Sequence, residues 1–288
     1  MPQAGFAPAA LRMVHISRPV LWINTLGTGV VGMWLTGTFW DAGVLALLVW
    51  LTLPFNLLIY GVNDIFDQDT DALNPRKGSL EGARIRASEV RAIWLWVLVT
   101  NVPFLVWFVV TLTPAALAWI ALYALVFVFY STPPLRFKAR PYLDSISNAA
   151  YAFPLVFVPY ALGDEPVWAA AIGLMAWSAA KHTYDAVQDI DEDRGAGITT
   201  TAVRLGARGV VAWSGAWWAA ATVCFALVNI PVAVVNALIA GWLLLGLYRD
   251  PRPETGHRLY RYSIAFPYVA GTVAGVQLVA ALTLGLYR

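Results

Sequence analysis

The residues best suited to chemistry in this chain are carboxylates at the ends of two apolar runs. The first set lies in Tyr60-Gly61-Val62-Asn63-Asp64-Ile65-Phe66-Asp67-Gln68-Asp69-Thr70-Asp71. Continued as a helix, Asp64, Asp67 and Asp71 stand at 0, +3 and +7 and share one face. The second set ends Tyr184-Asp185-Ala186-Val187-Gln188-Asp189-Ile190-Asp191-Glu192-Asp193, with carboxylates four apart at 185, 189 and 193. On a helix that spacing drifts only about 40° per step, so these also share a face. Several like charges on one face repel each other unless a cation sits among them.

Behind each acidic end a polar stripe runs back into the apolar segment, through Tyr60 and Asn56 in one case and His182, Lys181 and Ser178 in the other. Polar groups at membrane depth are costly and normally face the bundle interior or a wet cavity. A single such motif reads equally well as an acidic helix end reaching into the headgroups. Two matched motifs, each trailed by a polar stripe, favour one cavity with two acidic walls. Magnesium suits such a site, because it keeps several waters and takes one or two carboxylates plus substrate phosphates. Calcium would want a denser oxygen cage, and zinc would want His or Cys, which are scarce here. Arg76, Lys77, Arg136, Lys138 and Arg194 lie at the same level and could complete the neutralisation of a diphosphate. Each of them alone could equally set topology or touch lipid headgroups.

The elements that must hold these groups are membrane helices. The 288 residues are 59% hydrophobic and only 12% charged, with 14 Trp and 12 Tyr to supply interfacial aromatic belts. Apolar runs predict nine spanning helices, near 20–38, 43–63, 92–111, 115–132, 145–162, 167–187, 210–228, 231–248 and 264–285. Prolines inside these runs are tolerable as kinks in a bundle. Seventeen of the 19 Lys and Arg fall on one side of that arrangement, the exceptions being Lys181 and Arg288. The positive-inside rule then puts the N-terminus and the long loops in the cytoplasm and the C-terminus outside. The first helix is expected to be retained, since no signal-type cleavage site follows it. Residues 1–288 form a single polytopic membrane domain, an all-α integral membrane protein in contact with lipids and with no nucleic-acid partner. Cys224 is the sole cysteine, so no intrachain disulfide can form.

Asn63-Asp64-x-x-Asp67-x-x-x-Asp71 resembles the first signature of the UbiA-type intramembrane prenyltransferases, and Asp189-x-x-x-Asp193 resembles the second. Tyr130-Ser131-Thr132-Pro133-Pro134-Leu135-Arg136-Phe137-Lys138 is similar to that family's segment between helices 4 and 5. The Gly-Ile-Thr-Thr-Thr run from Gly197 resembles the tail of its second motif. The resemblance spans nearly the whole chain. It implies nine helices in a horseshoe around a central cavity, open sideways to lipid, with Mg²⁺ bridging an isoprenyl diphosphate. A narrower resemblance is to the carotenoid-elongating branch, the lycopene elongases. It is carried by Asn74-Pro75-Arg76-Lys77-Gly78-Ser79, by Arg18-Pro19-x-x-Trp22-x-Asn24-Thr25 and by Gln188-Asp189-Ile190-x-x-Asp193-Arg194. Asp185 departs from that branch, which often has no acid there. The implied donor is dimethylallyl diphosphate, and the implied acceptor is lycopene or a related carotenoid drawn from the bilayer.

Asp64, Asp67, Asp189 and Asp193 are accordingly the expected catalytic residues, and with Asp71 the expected metal ligands. Asn24, Tyr60, Asn63, Arg76, Lys77, Tyr130, Arg136, Lys138, Asn148, Asp185 and Arg194 are the expected substrate-binding residues. Ionisation of an allylic diphosphate needs its leaving group neutralised and the resulting cation shielded by aromatic faces in a dry pocket. Tyr60, Tyr123, Tyr130 and Tyr151 are candidates for those faces, with packing or belt roles as the alternative. His182 could remove the final proton or be a satisfied structural histidine. Lys181, four residues before Asp185, is expected to pair with it along the helix. Asn24 and Asn148 could line the cavity or bond between helices. Gly27-Thr28-Gly29-Val30-Val31-Gly32 matches a dinucleotide fingerprint but follows no strand, so close helix packing explains it better. Two other functions stay open: prenylation of a quinone-precursor or chlorin head group, and cation-coupled transport. Against transport, the acids sit at helix ends rather than at the midplane, and no inverted repeat is visible.

Overall fold

Lipid offers backbone amides no partner, so the apolar runs of this chain can be satisfied only as helices. A computed structural model describes residues 6–38, 40–68 and 84–285, and every regular element among them is helical. In chain order these are α1 (Phe6–Ile16), α2 (Leu26–Thr36), α3 (Ala42–Trp50), α4 (Leu53–Phe66), α5 (Val90–Thr111), α6 (Pro114–Ser131) and α7 (Leu143–Ile146). They are followed by α8 (Pro154–Leu162), α9 (Trp168–Asp185), α10 (Ile190–Gly195), α11 (Thr201–Ala226), α12 (Ile230–Arg249) and α13 (Pro253–Thr283). Short 3₁₀ turns at Pro19–Asn24, Phe137–Ala139, Ser147–Ala152 and Ala186–Asp189 join several of them.

Among the described residues, 7 helical stretches are long and apolar enough to cross a bilayer. The other two of the nine expected spans take a different form. The run near 20–38 folds as the 3₁₀ turn Pro19–Asn24 followed by α2, whose 11 residues cover only about 16 Å. The run near 167–187 is α9, which is long enough but carries Ser178, Lys181, His182 and Asp185 on one face. Both elements wall the central cavity, which explains why they are shorter or more polar than the rest.

Two aromatic cores flank that cavity. One centres on Trp50, Phe55, Tyr123 and Phe157, where α3, α4, α6 and α8 meet. The other gathers Trp177, Tyr184, Trp218 and Phe266 from α9, α11 and α13. Tyr123, a candidate for a cavity face by its sequence, belongs to the first core. It is fully buried, stacks on Phe55 at 4.3 Å between ring centroids, and does not line the cavity. The outer faces of α5, α12 and α13 present Val and Leu side chains outward, as contact with lipid requires.

Proline breaks are repaired by buried amides. Between α3 and α4, Pro54 interrupts the backbone ladder. Asn56 Nδ2 donates to Leu51 O and Thr52 O at 2.8 Å each, and to Thr25 Oγ1 at 2.8 Å. Asn101 Nδ2 donates to Pro54 O at 2.8 Å while its Oδ1 accepts from Trp50 Nε1 at 2.8 Å. Asn56 therefore serves the break rather than the cavity stripe that its spacing suggested. Gly32 sets the approach of α2 to α8, since a Cβ there would stand 2.8 Å from Pro154 O. The glycine pattern of α2 is thus a close-packing surface. Within α11, Gly206 takes φ 64°, which lets the first turn of that helix bend away from the remainder.

Replacing Asn56 by Leu removes the amide bonds to Leu51 O and Thr52 O, which keep only Thr25 Oγ1 and the backbone N–H of residue 56. It should lower stability by about 0.5–1.5 kcal/mol, read as a fall in the thermal unfolding midpoint of the purified protein in detergent.

Candidate active site

A cavity of about 1450 Å³ lies between the two cores. It reaches from Asn63, Tyr130, His182 and Asp185 at one end to Gly37 and Asn229 at the other. α9 lines it from Ala170 to Asp185, a rise of about 22 Å. Its body is largely apolar, with Trp34, Leu155, Leu174 and Phe225 in the wall, and its ionisable groups Arg18, Lys181, His182 and Asp185 lie at the acidic end.

The first acidic motif does not continue as one helix. α4 closes at Phe66 and Asp67 is the first residue past its end. Asp64, fully buried, accepts from Arg18 Nη2 at 2.6 Å. The Arg18 guanidinium also sits 4.5 Å above the Tyr60 ring, so one cation serves a carboxylate and an aromatic face together. Arg18 reaches them from a left-handed backbone position, φ 51°, just before Pro19 starts the 3₁₀ turn. Beyond α6, Arg136 also adopts positive φ, 40°, and reverses the chain so that Lys138 returns to α4. Lys138 pairs with Asp67, and its Nζ stands 3.5 Å from Asn63 Oδ1. Ser131 Oγ donates to the same Asn63 oxygen at 2.8 Å, and Arg136 Nη2 is 4.0 Å from Asp67 Oδ1. Tyr60 and Tyr151 bring their hydroxyls to 3.4 Å, and both line the cavity.

The second motif is likewise broken. α9 ends at Asp185, the 3₁₀ turn Ala186–Asp189 follows, and α10 begins at Ile190, so the three carboxylates are not on one continuous face. Asp185 pairs with Lys181 at 2.5 Å, as its i, i+4 spacing predicts, and also accepts from Ser263 on α13. Asp193 accepts from Thr200 Oγ1 at 3.2 Å, the same hydroxyl that caps α11. Burial, and then the neighbouring charge of Asp189, push the Asp193 carboxyl up to about 7. His257 Nδ1, 3.3 Å from Gln188 Oε1, ties the start of α13 to this turn. Arg194 is turned outward and pairs with exposed Asp191 at 2.9 Å.

The end of α6 contacts both motif helices, Ser131 through Asn63 of α4 and Tyr130 through His182 of α9, 3.3 Å from its hydroxyl. Of the expected site residues, Asn24, Tyr60, Asn63, Tyr130, Asn148 and Asp185 line the cavity. Asp64, Asp67, Arg136 and Lys138 form the cluster beside it. Asp189 and Asp193 stand on the turn and short helix beyond α9, and Arg194 points away from the cluster. Asp71, Arg76 and Lys77 lie outside the described residues. Arg18, Ser131 and Ser263 joined the site only through the fold. Arg18 and Ser131 lie in the segments beginning Arg18-Pro19 and Tyr130-Ser131, which assign them no role, and no local signal marks Ser263.

The donor set fits a hard divalent cation. The candidate donors are carboxylate oxygens, the donor type a hard cation such as magnesium takes, while among the described residues no three His, Cys, Asp or Glu side chains close on a point. Burial first, and the Asp189 charge second, raise the Asp193 carboxyl, and a cation there would relieve the second.

Carboxylates and cations gather at one end of a long cavity, on the ends of membrane helices and the turns that join them, an arrangement suited to a molecule with an anionic head and an apolar tail. The chain belongs to the UbiA prenyltransferase family, which it matches over residues 25–285. It is 34% identical over 251 residues to the lycopene elongase/hydratase of Haloferax volcanii, covering 82% of each chain. It is 39% identical over 212 residues to the C(50) beta-cyclic carotenoids biosynthesis protein LbtBC of Dietzia, a match spanning 72% of this chain but 49% of that protein. The fold is similar to that of a UbiA homolog from Archaeoglobus fulgidus bound to DMAPP and Mg²⁺, with a TM-score of 0.65 at 21% identity over 91% of this chain and 99% of that one. The chain is a multi-pass membrane protein.

The Arg18–Asp64 pair is buried, so removing Arg18 takes a charge-assisted hydrogen bond from an enclosed carboxylate. Arg18→Met should lower stability by about 1–3 kcal/mol. A cycle with Asp64→Asn should show coupling above about 1 kcal/mol in detergent unfolding.

Proposed function

We propose that this protein is a Mg²⁺-dependent prenyltransferase that moves a dimethylallyl group from its diphosphate to lycopene or a closely related carotenoid. The observation that carries this reading is the continuity of one cavity from the acidic, basic end to a long apolar body. At about 1450 Å³ it exceeds the roughly 300–1,000 Å³ that holds a drug-sized ligand. A stretched, wholly apolar acceptor would use that length, whereas a head-group acceptor needs little of it. The names of the relatives in Haloferax and Dietzia support a carotenoid acceptor, and the DMAPP-bound neighbour supports the donor.

In this reading Asp64, Asp67 and Asp71 from one motif and Asp189 and Asp193 from the other hold the metal. Magnesium supplies, when bound, the positive charge that stabilises a departing diphosphate. Lys138 and Arg136, already gathered at Asp67, add charge at the same place. Arg76 and Lys77, from the loop after the first motif, and Arg194 are further candidates to meet the diphosphate. Asn63, held by Ser131, orients the head. Tyr60, Phe127 and Tyr151 present aromatic surface to the reacting carbons, with Phe127 and Tyr151 ring centroids 4.7 Å apart. Such faces stabilise an allylic cation, and the apolar wall keeps water from it. Asn24 and Asn148 line the same chamber. The concentration of Lys and Arg near the acidic ends supports a cytoplasmic position for this mouth and the N-terminus.

Purified protein given dimethylallyl diphosphate, Mg²⁺ and lycopene should release diphosphate, and chelation should stop the release until Mg²⁺ is restored. Asp64→Ala or Asp67→Ala should lower the rate by about 100-fold or more; a rate near wild type for either would sink the metal assignment. A lycopene-producing host expressing the chain should accumulate carotenoids longer by one and two five-carbon units. Unchanged lycopene would point instead to a quinone-precursor or chlorin acceptor.

A further inference from the structure

The site contains a second charged system that the diphosphate chemistry does not use. Asp144, on α7, is fully buried. Its Oδ2 accepts from Thr201 N at 2.9 Å and its Oδ1 from Thr201 Oγ1, so it holds the first turn of α11. Among the described residues, its one ion-pair partner within 4 Å is His182, whose Nε2 lies 3.9 Å from Oδ2. The same Nε2 is 3.3 Å from the Tyr130 hydroxyl, and the two rings meet edge to face with centroids 6.0 Å apart. Tyr130 and His182 both line the cavity, while Asp144 lies behind them.

Position adds meaning to this chain of groups. Tyr130 directly precedes Ser131, which bonds Asn63 in the first motif, and His182 lies one turn before Asp185 in the second. Tyr130 and His182 therefore stand just inside the mouth, where the carbons joined to a short five-carbon donor must lie. A buried carboxylate without a Lys or Arg partner favours positive charge on the group it faces. A plain structural bond would need neither the cavity-facing hydroxyl nor the carboxylate behind the ring.

Resting on the prenyl-transfer reading, we propose that His182 is the proton acceptor that ends the reaction, reached through the Tyr130 hydroxyl, with Asp144 as the positioning residue. Once the allylic C–O bond has broken, its electron pair leaves with the diphosphate. The acceptor's double-bond pair forms the new C–C bond and leaves a positive carbon. That charge is discharged by the departure of one proton. The proton comes from an adjacent C–H, whose pair becomes a new double bond, or from a water whose lone pair has formed a C–O bond. Tyr130 Oη takes this proton as its own O–H proton passes to His182 Nε2, and Asp144 stabilises the imidazolium. Atoms and charge balance with no further reagent.

The test separates ionisation from termination in His182→Gln and Tyr130→Phe, reconstituted in vesicles with Mg²⁺, lycopene and dimethylallyl diphosphate labelled at its bridging oxygen. Extended carotenoid should form about 100-fold more slowly in both variants, while scrambling of the bridging label, which reports ionisation alone, persists. Added imidazole should restore product in His182→Gly. Loss of scrambling and product together, with no imidazole rescue, would make His182 structural and overturn the assignment, as would unchanged product formation. Wild-type protein that neither scrambles nor releases diphosphate would instead refute the prenyl-transfer reading itself. Tyr130→Phe retains the ring, so it answers the question even where His182 variants fold poorly.

Discussion

Negative charge buried at membrane helix ends is the constraint on which this structure turns. Enclosing a carboxylate as fully as Asp64 in an apolar bundle is costly without a cation close by. The fold brings one from a distance, and Arg18, 46 residues earlier, supplies it across the mouth of the cavity. Lys138 does the same for Asp67 from 71 residues later, and Lys181 for Asp185 from within the same helix. These pairings fix where the segment before α2, the turn after α6 and the end of α9 must sit. The site is thus assembled by the need to neutralise its own acids. In the proposed reaction, a diphosphate with its metal would enter a region already arranged around charge balance.

The same constraint explains why the polar helices are broken ones. An unbroken α4 or α9 would carry its carboxylates in a row along one stripe. Ending α4 at Phe66 and passing from α9 through a 3₁₀ turn to α10 spreads those charges over different directions. Asp185 turns to Lys181 and Ser263, and Asp193 turns to Thr200. Breaks free backbone carbonyls, which lipid cannot satisfy, and buried amides such as Asn56 and Asn101 bond them instead. Irregular backbone is confined to places where protein or cavity surrounds it. The long regular helices α5 and α12 face outward and carry few polar side chains.

Much of the architecture was legible in the sequence because hydrocarbon thickness and backbone satisfaction leave few choices. Apolar runs, their prolines and the one-sided Lys and Arg pattern located the helices. The paired acidic motifs pointed to the end of the cavity where Asn63, Asp185 and their charged neighbours gather. The i, i+4 Lys181–Asp185 pair and the close-packing glycines of α2 followed from local geometry alone. Other features depended on contacts between residues far apart in the chain. Tyr123 and Tyr151 look alike in sequence, yet one stacks in a core and the other faces the cavity, because α6 and the Ser147–Ala152 turn present different sides to it. Asn56 reads as cavity lining until Pro54 is seen to need its amide. Arg18 and Ser131 lie inside segments that carry the resemblance and Ser263 in none, and what each of the three bonds to is settled only when the helices pack. By itself the sequence determined a membrane bundle with two acidic helix ends, since periodicity and composition act locally. Which cation meets which acid, and the line from Tyr130 through His182 to Asp144, were decided by tertiary structure, because charge pairing and cavity lining depend on distances that spacing along one chain does not contain.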